Sequence, residues 1–67
     1  MNVFRIMAVY PIGTIVRVKD DYPGNTHEVY GYEWFGDSGN IIFRDGTKLN
    51  MRRLELIEEV FHHNGRN

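Results

Sequence analysis

The stretch that decides the predicted fold is NIIFRDGTKLN, residues 40–50. Its centre, Asp45-Gly46, is a preferred pair for a two-residue type I′ turn between β-strands. Short apolar runs lie on both sides of this pair. We therefore predict a β-hairpin with strands over residues 40–44 and 47–50.

The register of this hairpin determines which side chains face the core. A two-residue turn places Phe43 opposite Lys48 and Ile42 opposite Leu49. If Ile42 and Leu49 point inward, Ile41 and Phe43 form an outward apolar patch, which indicates an interface in a small domain. If Ile41 and Phe43 belong to the core instead, Ile42 is the exposed residue.

Two further strands are predicted before the hairpin. Residues 14–19 alternate, with Val16 and Val18 on one side, which is typical of a half-buried strand. Residues 28–35 form the second strand, in which Gly31 indicates a bulge or bend. Residues 20–25 and 36–39 are rich in Asp, Gly, Pro and Asn, and we expect a loop and a turn there.

The segment after the hairpin has two interpretations. We predict a helical turn at residues 51–53 and a fifth strand at residues 54–57, because a chain of short strands needs a closing strand. The alternative is a helix over residues 51–62, which the Met, Arg, Leu and Glu content favours.

The order of these elements resembles the SH3-like small barrel, in particular small stand-alone bacterial and phage barrels and the closing half of Tudor-like ones. The resemblance implies an all-β, five-stranded SH3-like barrel over residues 12–58, with a 3₁₀ or short helical turn before the last strand. Residues 1–11 are then an N-terminal extension that adds a strand or docks a partner, and residues 59–67 a frayed tail. The family's RT loop would correspond to residues 19–25 and its n-Src loop to residues 36–39.

The chain departs from the signalling SH3 pattern. The run Ala-Leu-Tyr-Asp-Tyr is absent, and Trp34 precedes the n-Src-like turn rather than following it. No Pro and Tyr occupy the helical turn at residues 51–53. These departures argue against recognition of PxxP peptides.

The composition excludes several classes of site. The 67 residues include no Cys, so disulfides, Cys-based zinc sites and thiol nucleophiles are excluded. Eight basic and nine acidic residues give a net charge of −1, which is not typical of a nucleic-acid-binding protein. The neighbouring His62 and His63 diverge on any regular element. We expect no metal, no cofactor and no enzymatic activity, and a cytoplasmic protein without a membrane partner.

The aromatic residues provide the principal functional hypothesis. They are too many for the interior of so small a barrel, and exposed aromatics beside the first loop would anchor a protein partner. Two acidic residues in that loop would select a basic partner. The predicted partner-binding residues are Tyr22, Trp34, Tyr32, Asp20, Asp21 and Phe43.

Two other functions are retained as alternatives. The first is nucleic-acid binding, in which aromatics stack bases between cations. The second is a structural subunit of a larger assembly, including self-association through the apolar N-terminal residues Val3, Phe4, Ile6 and Val9. The cations of the first alternative are Arg17, Lys19, Arg44, Arg52 and Arg53.

Overall fold

The computed structural model describes residues 3–19 and 26–61. Within them lie one α-helix, five strands and one 3₁₀ helix. The strands are antiparallel in one sheet of order β4-β3-β2-β1-β5, which is not closed. This confirms the prediction of a mainly β chain with a short helical turn before the last strand. The elements are α1 (Val3–Val9), β1 (Ile15–Val18), β2 (His27–Phe35), β3 (Ser38–Phe43), β4 (Lys48–Asn50), the 3₁₀ helix (Met51–Leu56) and β5 (Ile57–Phe61).

The turn between β3 and β4 is one residue longer than predicted. The Phe43 N–H donates to the Thr47 carbonyl at 2.8 Å, so residues 44–46 form a three-residue loop. Gly46 ends this loop with φ of 91°, and its N–H donates to the Phe43 carbonyl at 2.9 Å. A three-residue hairpin loop requires a left-handed residue at this position, which glycine adopts without strain. The prediction of a two-residue type I′ turn is therefore wrong.

The longer loop determines which isoleucine enters the core. Ile41 pairs with Leu49, and Ile42 with Lys48. Ile41, Phe43 and Leu49 are consequently buried, whereas Ile42 is half-buried on the outer face. A one-residue change of register exchanges the inner and outer side chains of a strand.

A bulge in β2 changes the face on which its side chains lie. Val29 pairs with Phe43, but Gly31 pairs with Ile42, so Tyr30 is an extra residue. Val29 is buried and Tyr32 packs against the core, although the two are three positions apart. Without the bulge they would lie on opposite faces. The predicted bulge near Gly31 is thus confirmed.

The segment after β4 contains both predicted conformations in succession. The Asn50 side chain caps the 3₁₀ helix by accepting the Arg52 N–H at 2.9 Å. The helix runs to Leu56, so the fifth strand begins at Ile57 rather than at residue 54. β5 extends to Phe61 and pairs with β1, so the assignment of residues 59–61 to a frayed tail is wrong.

The N-terminal extension forms a helix rather than an added strand. α1 buries Ile6 against the sheet, and Tyr10 packs beside it. The Tyr10 N–H donates to the Ile6 carbonyl at 2.9 Å, which continues the helical pattern past Val9. The Gly13 N–H then donates to the Val29 carbonyl at 2.9 Å, so the chain enters β1 alongside β2.

One hydrophobic core joins the helix, the sheet and the 3₁₀ helix. Val16 is fully buried in β1, as the alternation of residues 14–19 predicts, and Met51 closes the core from the 3₁₀ helix. The buried hydrophobic residues are Ile6, Val16, Val29, Ile41, Phe43, Leu49 and Met51.

Candidate functional site

Trp34 and Tyr32 lie on the core-facing side of β2, near the end of the sheet. Residues two apart on a strand share a face, and Tyr32 pairs with the fully buried Ile41. Trp34 nevertheless remains 44% exposed. Tyr32 is half-buried, and its hydroxyl donates to the Tyr10 carbonyl at 2.5 Å. We call Tyr32 and Trp34, together with the Tyr10 backbone that accepts this hydrogen bond, the aromatic surface.

The Tyr32 side chain is held in place by its partial burial and by the hydrogen bond from its hydroxyl to the Tyr10 carbonyl. Desolvation raises the pKa of the Tyr32 phenol above its ordinary value of 10.0, so the hydroxyl is protonated at neutral pH and acts as a donor. This bond ties β2 to the segment that follows α1. The contact spans 22 positions of the chain, so the local sequence pattern could not reveal it.

Gly39 allows the Trp34 indole to lie directly on β3. The two residues pair across the β2–β3 hairpin. A Cβ atom on Gly39 would lie 3.0 Å from Cε3 of Trp34 and would also collide with the Glu33 carbonyl oxygen. Only glycine leaves room for this approach, so β3 supports one side of the indole.

The turn after β2 connects this end of the sheet to the 3₁₀ helix. Asp37 lies in that turn, and its Oδ1 is 3.3 Å from an Arg52 terminal nitrogen. Both side chains are largely exposed, so we assign the pair little stability. It joins the turn that follows Trp34 in the chain to the 3₁₀ helix.

The opposite face of the same strands is polar. Glu33 accepts a hydrogen bond from the Asn40 amide at 2.9 Å and lies 2.9 Å from the Lys48 ammonium. The Asn40 bond and then the Lys48 contacts lower the pKa of Glu33. Phe35 shares this face by alternation and is exposed. Trp34 and Phe35 are therefore neighbouring exposed aromatics on opposite faces.

Phe43 does not belong to an exposed surface. It is only 3% exposed, and the His27 ring stacks on it with centroids 4.8 Å apart. The hypothesis of an outward Phe43 depends on the two-residue turn, which the observed register excludes. The remaining predicted residues, Asp20, Asp21 and Tyr22, lie outside the described part of the chain.

A polar cluster beside Phe43 is absent from the sequence-based hypotheses. The Thr47 hydroxyl and N–H both donate to Asp45 Oδ1, at 2.6 and 2.9 Å, and His27 Nδ1 lies 3.0 Å from Asp45 Oδ2. The Thr47 bonds, followed by His27, lower the pKa of Asp45. The spacing Asp-x-Thr in a turn is the signal that could have indicated the Thr47 bonds. His27 is distant in sequence and gives no such signal.

Four of the five predicted nucleic-acid-binding cations form ion pairs. Arg17 pairs with Glu59, and its Nε is 4.0 Å from Glu58. Lys19, two residues after Arg17, is exposed. The other pairs are Arg44 with Glu28 at 3.4 Å, Arg52 with Asp37 at 3.3 Å and Arg53 with Glu55 at 3.5 Å. Each of these four guanidinium groups therefore lies beside a carboxylate, which reduces the positive charge available to a phosphate.

Within residues 3–19 and 26–61, no three His, Asp or Glu side chains are grouped closely enough to hold a metal ion. None of the helices in this part of the chain has the length and apolar character of a membrane span.

No known protein-family model matches the chain, and no curated protein or solved structure is detectably similar to it.

Proposed function

We propose that this chain is a non-enzymatic protein-binding module that docks a segment of a partner on the aromatic surface. The observation that carries the proposal is the 44% exposure of Trp34 on the core-facing side of β2. Aromatic side chains of this kind anchor protein interfaces because they bury a large area and lose little conformational entropy.

An SH3-like arrangement of the strands is part of this proposal. The strand order β4-β3-β2-β1-β5, with a 3₁₀ helix between β4 and β5, supports it. In an SH3-like barrel, the first loop is where basic ligand residues dock. Residues 20–25 connect β1 to β2, and residues 36–37 connect β2 to β3. The hypothesis that Tyr22, Asp20 and Asp21 act together with Trp34 in binding is therefore kept as part of the proposal.

The chemistry of these residues suggests an apolar segment with basic residues as the partner. Trp34, Tyr32 and Tyr22 would contact the apolar part, and Asp20 and Asp21 would attract the basic part. A bacterial or phage origin and a cytoplasmic location stay predictions from the sequence.

The test uses Trp34 as an internal probe, since it is the chain's one tryptophan. Random peptides displayed on phage are selected on the immobilised chain, and synthetic copies of the selected peptides are titrated while tryptophan fluorescence is recorded. We expect basic, apolar peptides that shift the emission. Binding measured by calorimetry should be lost in Trp34→Ala and retained in Phe35→Ala, its matched control on the opposite face.

Two results would contradict this assignment. One is equal loss of affinity in both variants, which would indicate a general effect on folding. The other is selection of peptides whose affinity does not depend on Trp34.

Nucleic-acid binding is the competing function, and one observation favours it. The Arg44 guanidinium carbon lies 5.8 Å from the centroid of the exposed Tyr30 ring, which pairs a cation with an aromatic as single-strand binders do. The ion pair between Arg44 and Glu28 argues against a free phosphate site. Binding to a fluorescent oligonucleotide that weakens steeply with salt would favour this function over ours.

A further inference from the structure

The outer surface of α1 and the residues after it are unusually apolar. The helix uses Ile6 for the core, while Phe4 is 77%, Met7 40% and Val9 44% exposed. Ile12, which follows the helix, is 66% exposed. We call these four residues, Phe4, Met7, Val9 and Ile12, the N-terminal apolar surface.

This surface lacks the polar residues that a solvated helix normally presents. Arg5 is the one charged residue between residues 3 and 13. A surface helix typically carries charged or polar residues opposite its buried side, and a helix that is apolar on all sides is normally covered. The arrangement indicates that something packs over α1.

We propose that a second copy of this chain covers the N-terminal apolar surface, forming a symmetric dimer. The four residues of this surface are all uncharged, so they offer no charge complementarity to an acidic or basic partner. A two-fold dimer requires only that the surface complement itself, and an uncharged apolar surface does so. Membrane-surface helices instead carry several basic residues on a polar face. The proposal is independent of docking at the aromatic surface.

The exposed area agrees with a reversible dimer. The four side chains together expose about as much area as two fully exposed large apolar side chains, roughly 400 Å². Two copies would bury about 800 Å² from these residues alone, and their surroundings would add more. Stable interfaces bury roughly 1,600 Å² in total, and weak, transient ones less than about 1,200 Å². We therefore expect a dimer that dissociates on dilution.

Ile6, which the sequence predicts to take part in self-association, is instead buried in the chain's own core. The contact between copies is therefore assigned to Phe4, Met7, Val9 and Ile12.

The test is sedimentation equilibrium of the full chain over a wide concentration range. We expect a mass that rises from 7.9 kDa towards twice that value as the concentration increases. The variant Phe4→Ser/Ile12→Ser should stay monomeric at every concentration. Phe35→Ser, which removes an exposed aromatic from the outer face of β2, is the matched control and should dimerise as the natural chain does.

Folding of each variant is checked by its amide NMR spectrum. If the double variant does not fold, a mixed sample of labelled and unlabelled natural chain replaces it, and we expect nuclear Overhauser effects between the Phe4 ring and a Met7 methyl of another copy. A natural chain that stays monomeric, a dimer that persists in the folded double variant, or the absence of these effects in a mixed dimer would overturn the proposal. Loss of dimerisation in folded Trp34→Ala would also overturn the proposal, because it would assign the contact between copies to the aromatic surface.

Discussion

The register of the β3–β4 hairpin can be tested by making the same substitution at two neighbouring residues. Ile41→Val and Ile42→Val each remove one methylene group, the first from a fully buried side chain and the second from a half-buried one. Burial of a methylene group contributes about 0.8 kcal/mol, and the cavity left behind adds to its loss. We expect Ile41→Val to lower the free energy of unfolding by about 1 kcal/mol and Ile42→Val by a few tenths.

Thermal unfolding followed by circular dichroism measures this difference. A loss of 1 kcal/mol lowers the Tm of a domain of this size by about 4–8 °C, so Ile41→Val should melt several degrees below Ile42→Val. The two-residue turn predicts the reverse order, because it places Ile42 in the core. Equal melting temperatures, or a larger decrease for Ile42→Val, would refute the observed register.

Two further predictions concern the same hairpin. Gly46→Ala should lower the free energy of unfolding, measured by chemical denaturation, by about 1 kcal/mol, since φ of 91° strains any residue with a Cβ atom. The control is Gly31→Ala, where an added Cβ has open space and φ is not left-handed. In the same measurement this variant should be neutral or stabilising. Thr47→Val should raise the pKa of Asp45 part of the way to its ordinary value of 3.8, as read from its carboxyl carbon by NMR, because it removes the hydroxyl bond that is the largest cause of the depression and keeps the backbone N–H bond. An Asp whose pKa is lower in the folded state stabilises the fold at a pH above its unfolded-state pKa, and this contribution is lost as the pH falls through the folded-state pKa. Thr47→Val should therefore make the free energy of unfolding less dependent on pH in the acid range. An unchanged Asp45 titration would contradict the assigned cause.

Much of the sheet can be predicted from local patterns, but the hairpin register cannot. Alternation locates β1, and Gly31 indicates the bulge in β2. Asp45-Gly46 is compatible with both turns, because each needs glycine at the left-handed position. Burial of Phe43 under His27 accompanies the longer turn, and this contact joins residues distant in sequence.

The N-terminal segment and the candidate site likewise depend on contacts between residues that are distant in sequence. Residues 3–9, which are apolar except for Arg5, fit a short helix as well as a strand, and burial of Ile6 against the sheet accompanies the helix. The sequence suggests that Trp34 and Tyr32 share a face. It does not indicate that Tyr10 joins them, because that contact depends on the path of the chain after α1.

The central claim, that the aromatic surface docks a protein partner, is tested most directly by NMR. A peptide selected on the chain is titrated into the ¹⁵N-labelled protein while the Trp34 indole N–H and the backbone amides are recorded. We expect the largest shifts at the Trp34 indole and the amides of Tyr32 and Tyr10, with small shifts at Asn40 and Lys48 on the opposite face. Largest shifts at Asn40 and Lys48, with an unmoved indole, would contradict it.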